Sequence, residues 1–291
     1  MIFDTRTLEL GEGPLWHPER QQLFWFDIRS GHLLSQTEAG SLSWSIGENA
    51  SAAGWVDRDT LLIATETRLM TFDIASSQQT EIAPLEPDTP NTRPNDGRAD
   101  PFGGFWISTM DKMASAGKGA FYRYYKGELR KLYDGLSVPN ACCFDPEGGF
   151  AHFCDTTTKT VMRVTLDAQG WPSATPEPWL DLRADGLKPD GAVIDADGNF
   201  WCAQYGAGRV AAYDRAGKFL RAVAFPASQT TCPAFGGPDL TTLFCTSAWQ
   251  NLTDDDRATN PDHGRTFAAP DIAPDIAPDI ARGVPEPRVI L

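Results

Sequence analysis

Three observations predict an all-β fold, a six-bladed β-propeller, for this chain of 291 residues. A weak internal repeat recurs six times. Short apolar runs separated by Gly, Asp and Asn turns fill the space between copies. No stretch carries the sustained 3.6-residue apolar period that marks long helices. Each copy reads as an acidic or turn residue, a polar turn and an apolar strand. The copies are HPERQQLFWFDI from His17, VDRDTLLIATE from Val56, ADPFGGFWIST from Ala99, FDPEGGFAHFCDT from Phe144, IDADGNFWCAQY from Ile194 and GGPDLTTLFCTS from Gly236. Their starts lie roughly 40 to 50 residues apart, the period of propeller blades.

Further strand-like runs follow each copy, such as RLMTFDI from Arg68, GAFYRYY from Gly119, TVMRVTL from Thr160 and RVAAYDR from Arg209. Third runs include GELRKLY from Gly127 and KFLRAVAF from Lys218. Six units of about 48 residues account for the whole chain, so residues 1–291 read as a single domain. A β-sandwich with accidental similarity between its strands is the competing architecture. Six copies in phase favour radial repetition, which buries each sheet face against the next blade and leaves few open edges.

Composition narrows the function. Hydrophobic residues make up 41% of the chain, enough for a substantial core, and charged residues an ordinary 22%. The formal net charge of −14 opposes binding to nucleic acid or to anionic membranes, and no Lys/Arg run overrides it. No apolar stretch approaches the roughly 20 residues of a membrane span. The opening MIFDTRTLELGEGP lacks the apolar run of a signal peptide, so a cytoplasmic location is expected. Six cysteines without CxxC or dense spacing read as reduced, buried strand residues: Cys142, Cys143, Cys154, Cys202, Cys232 and Cys245.

The chemistry emerges at one phase of the repeat. Five residues before His17, Asp100, Asp145 and Asp195 stand Glu12, Asn95, Asn140 and Asp190, each with a side-chain oxygen. In the two remaining copies the same phase falls near the small residues Ala52 and Cys232. Equivalent repeat positions occupy equivalent places around a propeller axis, so these four oxygens are expected beside the central channel. Pro94, Pro139 and Pro189 precede three of them and stiffen their backbones. Carboxylates converging on one channel repel unless a cation lies between them. Oxygen-only donors suit hard divalent ions, and an incompletely filled shell leaves room for water and substrate. Taken singly, Asn95 or Asp190 reads more readily as a turn residue than as a ligand; four at one phase favour the site.

These residues also carry a resemblance. LGEGPLWHPERQQLFWFDI, NTRPNDGRADPFGGFWISTM, VPNACCFDPEGGFAHFCDT, KPDGAVIDADGNFWCAQYGAGRV and FGGPDLTTLFCTSA resemble, in order, segments of the gluconolactonase and regucalcin (senescence marker protein) family of sugar-lactone hydrolases. The resemblance implies a six-bladed propeller with one divalent metal ion in its channel: Ca²⁺, Mg²⁺, Mn²⁺, Zn²⁺ or Fe²⁺. It implies Glu12, Asn140 and Asp190 as metal ligands, Asp190 also as general base, and Arg93 and Asn95 as substrate contacts. The implied reaction opens an aldonolactone to the free sugar acid. The implied partner is therefore a small-molecule sugar lactone, with the chain a monomer or weak homo-oligomer. Some members place a glutamate over the site from the loop after STM; here MDKMASAGKGAF has none, and Lys112, Met113 or Lys118 is expected to edge the pocket.

The competing readings are a metal-dependent arylesterase or phosphotriesterase propeller and a metal-binding propeller without turnover. No HExxH, GxSxG or phosphate-loop motif offers another scheme. His17 reads as structural, Trp25, Trp106 and Trp201 as blade packing, and Trp16 and Tyr205 as candidates for the pocket wall. The APDI triplet within 269–280 reads as an eight-residue tandem duplication bulging from the last blade. The terminal PRVIL is expected to pair with a strand near Thr5 to Leu8 and close the ring.

Overall fold

The computed structural model describes residues 1–272 and 281–291, which form six four-stranded antiparallel sheets around a central channel. Blade 1 contains β2 (Gly11–His17), β3 (Gln22–Asp27), β4 (His32–Thr37) and β5 (Gly40–Ser45), from the channel outward. Blade 2 contains β6 (Ala50–Trp55), β7 (Thr60–Thr65), β8 (Arg68–Asp73) and β9 (Gln79–Pro84). Blade 3 contains β10 (Thr92–Ala99), β11 (Phe105–Asp111), β12 (Gly119–Tyr125) and β13 (Glu128–Leu136). Blade 4 contains β14 (Pro139–Phe144), β15 (Phe150–Asp155), β16 (Thr160–Thr165) and β17 (Glu177–Asp181). Blade 5 contains β18 (Pro189–Ile194), β19 (Phe200–Gln204), β20 (Arg209–Tyr213) and β21 (Phe219–Ala224). Blade 6 joins both ends of the chain: β22 (Thr230–Gly236), β23 (Thr242–Ser247), β24 (Thr266–Ala269) and, outermost, β1 (Ile2–Asp4). The six-fold reading of the repeat is thus correct, and each quoted copy spans the turn and second strand of a blade.

Helix is confined, among the described residues, to α1 (Asp254–Thr259), started by a Thr253–Asp256 capping box. No helix among the described residues is long and apolar enough to cross a membrane.

The repeated Asp holds the turn between the first and second strands. Asp100 Oδ1 accepts from the backbone N–H groups of Phe102 and Gly104, at 2.9 and 3.0 Å. Asp195 Oδ1 does the same for Asp197 and Asn199, at 3.0 and 2.8 Å, so each carboxylate substitutes for a backbone acceptor. His17 takes this position in blade 1, where its Nε2 contacts the Asp57 carbonyl at 3.0 Å and burial lowers its pKa. It is structural, as its sequence context implies.

Each pair of neighbouring blades shares its own apolar cluster. Trp106 and Phe121 of blade 3 meet Phe144 and Phe153 of blade 4. Trp201 of blade 5 meets Phe235 of blade 6 edge-on at 5.5 Å, and Trp25 packs between blades 6 and 1. Burying one such ring stabilises the fold by roughly 1.5–3 kcal/mol, which explains the repeated tryptophans without a ligand. Trp16 belongs with them: it stacks on Phe244 at 5.7 Å between blades 6 and 1 and does not line the cavity. All six cysteines are free and buried.

Ring closure corrects the expectation for PRVIL. The outer strand of blade 6 is β1, paired with β24 through Ile2 and Asp4 opposite Phe267 and Thr266. Residues 281–291 instead strap the channel end opposite the loops that follow β3, β11, β15 and β19. Gly283, Val289 and Ile290 donate N–H groups to the carbonyls of Leu240, Trp55 and Gly103, touching blades 6, 2 and 3. Pro285 and Pro287 lack N–H donors, so this segment makes isolated bonds rather than a strand ladder. Glu286 on the strap forms a buried ion pair with Arg98 of β10. The repeated APDI segment, 273–280, lies outside the described residues; Ile272 and Ala281, which flank it, are joined by a 3.4 Å backbone contact.

Candidate functional site

The four oxygen-bearing residues all sit on innermost strands: Glu12, Asn140 and Asp190 second in β2, β14 and β18, and Asn95 midway along the longer β10. Every inner strand loses regular register at this level, between Glu12 and Leu15, Pro94 and Gly97, Asn140 and Cys143, and Pro189 and Ala192, with equivalent irregularities after Ala50 and Thr230. A bulge puts two residues opposite one, bends the strand and re-aims a side chain. In blades 1, 3, 4 and 5 it turns a side-chain oxygen toward the cavity on the axis. Gly13 and Ala141, immediately after Glu12 and Asn140, carry the left-handed φ of such bulges, +55° and +57°.

In blades 1 and 4 the approach to the bulge is pinned from the second strand. Asp27 at the end of β3 accepts from the Leu10 N–H at 3.1 Å. Asp155, at the equivalent end of β15, accepts from Ser137 and Val138 N–H at 2.7 and 3.2 Å. These carboxylates fix the backbone two residues before Glu12 and Asn140.

Glu12, Arg93, Asn95, Asn140 and Asp190 line one cavity of about 510 Å³ at this end of the channel. Arg93 donates to Asn95 Oδ1 at 2.9 Å and to the Pro94 carbonyl at 2.8 Å. Asn95 Nδ2 donates to Asn140 Oδ1 at 3.0 Å and to the Pro139 carbonyl at 2.9 Å. Asn140 Nδ2 donates to Thr156 Oγ1 at 2.9 Å, and that hydroxyl donates to the Pro189 carbonyl at 2.7 Å. A relay of side chains therefore connects blade 3 through blade 4 to the residue before Asp190. Both Nδ2 hydrogens of Asn95 are engaged within it, which leaves its Oδ1 as the atom with spare capacity.

The electrostatics are those of too many anions in too little water. Burial first, then repulsion from Asp96, pushes the Glu12 carboxyl up to about 8, against the Gly13 N–H and Arg93. Burial, then Glu12 and Asp96, raises Asp190 well above the usual carboxylate range. Asp96, whose carboxylate accepts from the Cys142 N–H at 2.7 Å, is raised to about 6, chiefly by burial. Burial, together with Arg29, lowers Arg93 to about 10. Among the described residues no three Asp, Glu, His or Cys side chains converge as a metal cluster.

Lys112 and Met113 edge the cavity as expected, and so does Tyr205, whose hydroxyl donates to Gln229 at 2.7 Å; Lys118 does not reach it. Burial raises the thiols of Cys142 and Cys143 well above their ordinary range, so neither is a thiolate nucleophile. The sequence reading missed Asp96, Thr156, and the basic residues Arg29, Lys159 and Lys188, all of which line or flank the site. Thr156 is legible only as the hydroxyl that closes the CDT run, directly after the β15 strand.

The fold and the site together define a six-bladed propeller with an oxygen-lined small-molecule cavity on its axis. The chain belongs to the family described as SMP-30/Gluconolactonase/LRE-like region, whose sequence model matches residues 10–249. It is 34% identical to the L-arabinolactonase of Azospirillum brasilense, over 92% of this chain and 90% of that one. It is 30% identical to the 6-deoxy-6-sulfogluconolactonase of Pseudomonas putida, over 89% of this chain and 90% of the relative. Among solved structures it superimposes on the calcium-binding protein regucalcin from Agrobacterium tumefaciens with a TM-score of 0.94 and 36% identity, over 100% of this chain and 97% of that one.

Proposed function

We propose that the protein is a carboxylic-ester hydrolase that opens a sugar lactone to the free sugar acid. The observation that carries this reading is the pair of buried carboxylates, Glu12 and Asp190, facing one cavity with the Asn140 amide and the Arg93 guanidinium. Most lining residues are polar or charged and Tyr205 is the single aromatic among the described residues, which supports a polyhydroxylated substrate over an aryl ester.

The donor set fits a divalent cation. Two carboxylates whose affinity for protons is raised first by burial, and then by Asp96 at Glu12 and by Glu12 and Asp96 at Asp190, are equally poised for a metal ion, and the Asn140 oxygen would complete an all-oxygen face. Glu12, Asn140 and Asp190 are the residues that would hold Ca²⁺, Mg²⁺, Mn²⁺, Zn²⁺ or Fe²⁺. A cation bound there supplies Lewis acidity toward the lactone carbonyl.

The chain's own groups account for the rest. Asp190 takes a proton from the water that attacks the carbonyl carbon. As the ring C–O bond breaks, the same carboxyl returns that proton to the departing ring oxygen, which becomes the product hydroxyl. Arg93 opposes protonation of Asp190 and, with the Oδ1 of Asn95, would hydrogen-bond substrate hydroxyls or the ring ester. The Asn95–Asn140–Thr156 relay holds these groups in register across three blades.

Asp190→Asn, nearly isosteric, tests the assignment. General-base loss lowers kcat by about 10²–10⁴-fold, measured on an aldonolactone panel with each divalent ion in turn. Retention of most of the wild-type rate by this variant rules Asp190 out as the base.

A further inference from the structure

The cavity wall is basic, although the protein is strongly acidic. Five of its lining residues are Arg or Lys and only two, Glu12 and Asp190, are acidic, whereas the whole chain holds 25 basic against 39 acidic residues. Two of the five cations have partners. Arg93 is tied to Asn95, and Lys112 pairs with Glu66 at 2.7 Å. The remaining three, Arg29, Lys159 and Lys188, make no side-chain hydrogen bond or ion pair among the described residues. They come from three separate segments: the turn after β3, the turn between β15 and β16, and the residue before β18. Arg29 and Lys188 are exposed and Lys159 is half-buried, whereas Glu12 and Asp190 are buried, so the three cations lie on the solvent side of the cavity beside blades 1, 4 and 5.

We infer that the natural lactone carries a second, permanently ionised acid group, a carboxylate, sulfonate or phosphate remote from the ring ester, received by Arg29, Lys159 and Lys188. The inference rests on the lactonase reading given above. A neutral lactone gains nothing from three unpaired cations at the entrance, while the carboxylate it releases is retained by them. An anionic lactone gains at both stages, since like-signed charges in a cleft with low-dielectric walls concentrate an oppositely charged ligand. The geometry also sets the orientation. An anion at the bottom would face Glu12 and Asp190, so the ring ester goes down and the charged group stays at the rim. A volume of about 510 Å³ falls within the roughly 300–1,000 Å³ usual for small-molecule sites and leaves space for a sugar ring with such a substituent.

The test compares matched lactones: a neutral aldonolactone and its analogues bearing a terminal carboxylate, sulfonate or phosphate, at low and at physiological salt. Wild-type kcat/KM is expected to favour at least one charged analogue by about tenfold or more, with the advantage shrinking as salt screens the rim. The three analogues identify which acid is preferred. The Lys159→Glu/Lys188→Glu double variant should bring the charged-to-neutral ratio of kcat/KM down toward one or below. Lys218→Glu, on an exposed turn far from the cavity, should keep the ratio of the wild type. Equal or better turnover of the neutral lactone, independent of salt, overturns the inference and leaves the lactonase reading standing. Failure to open any lactone, charged or neutral, with every divalent ion supplied overturns both.

Discussion

Gly13 is where the fold and the site are most tightly coupled, and Gly13→Ala isolates that coupling. Its φ is +55°, and a Cβ built there would lie 2.0 Å from the backbone carbonyl oxygen of Ser51 on β6. The conformation alone is tolerable. Ala141, at the equivalent bulge of blade 4, adopts φ +57° with its Cβ in place, and a left-handed non-glycine residue costs about 1–2 kcal/mol. The Ser51 carbonyl is what distinguishes blade 1. It is fixed in an innermost strand, so β2 and β6 must part by roughly 1 Å, which adds about 1–3 kcal/mol of overpacking. The total, about 2–5 kcal/mol, is a large fraction of a typical folding free energy of ~5–15 kcal/mol. Glu12 precedes Gly13 and accepts from its N–H at 3.1 Å, so the displacement reaches the site, where an error of ~1 Å can cost about 10²-fold in rate. Equilibrium denaturation and kcat/KM for a lactone substrate read the two effects. Gly135→Ala is the control: φ is +70°, with nothing within 4 Å of a built Cβ, so it should show the conformational cost alone and full activity. A Gly13→Ala protein no less stable than the Gly135→Ala protein and fully active would refute the reasoning.

Two further predictions concern stability and the tail. His152 is buried against Trp179, at 4.2 Å between ring centroids, and neither ring nitrogen has a partner among the described residues. Burial, then Arg163, pushes its pKa down to about 3. The unfolded chain, titrating near 6.5, binds the proton first, so stability falls as pH drops from ~6.5 toward 3, with a limiting slope of about 1.4 kcal/mol per pH unit. His17, also lowered by burial, adds to the effect. His152→Phe should flatten the loss between about pH 6.5 and 5 in denaturation curves; an unchanged slope would show that His152 is not the sensor. Deleting 273–280 joins Ile272 to Ala281, whose carbonyl oxygen and amide nitrogen already lie 3.4 Å apart. The shortened protein should retain its fold and lactone turnover, and a folded but inactive product would refute the reading of the segment as a dispensable duplication.

What the sequence makes legible follows from symmetry. A propeller maps equal repeat phases onto equal places around an axis, so Glu12, Asn95, Asn140 and Asp190 can be grouped before any coordinates exist. The same logic identifies Trp25, Trp106 and Trp201 as packing residues and Asp100, Asp145 and Asp195 as turn residues. Symmetry is silent about Thr156, whose role depends on a hydroxyl reaching both Asn140 and the Pro189 carbonyl across a blade boundary. It is silent about ring closure too, because IFD and PRVIL are both short apolar terminal segments. Pairing energetics decided between them: β1 offers an unbroken set of N–H donors, and the tail, with Pro285 and Pro287, does not.

The basic rim marks the other boundary of legibility. Arg29 stands two residues after Asp27, Lys159 four after Asp155, and Lys188 two before Asp190, so they share no phase and no motif. Averaged over the chain, a net charge of −14 points away from anionic ligands. Yet association is governed by the potential inside the cleft, where a few unpaired cations near the ligand outweigh distant acids screened beyond roughly 8–10 Å at physiological salt. On the function proposed for this site, the inner strands would carry the chemistry at repeat positions set by bulges, and the connecting segments, free of the repeat, would select the lactone.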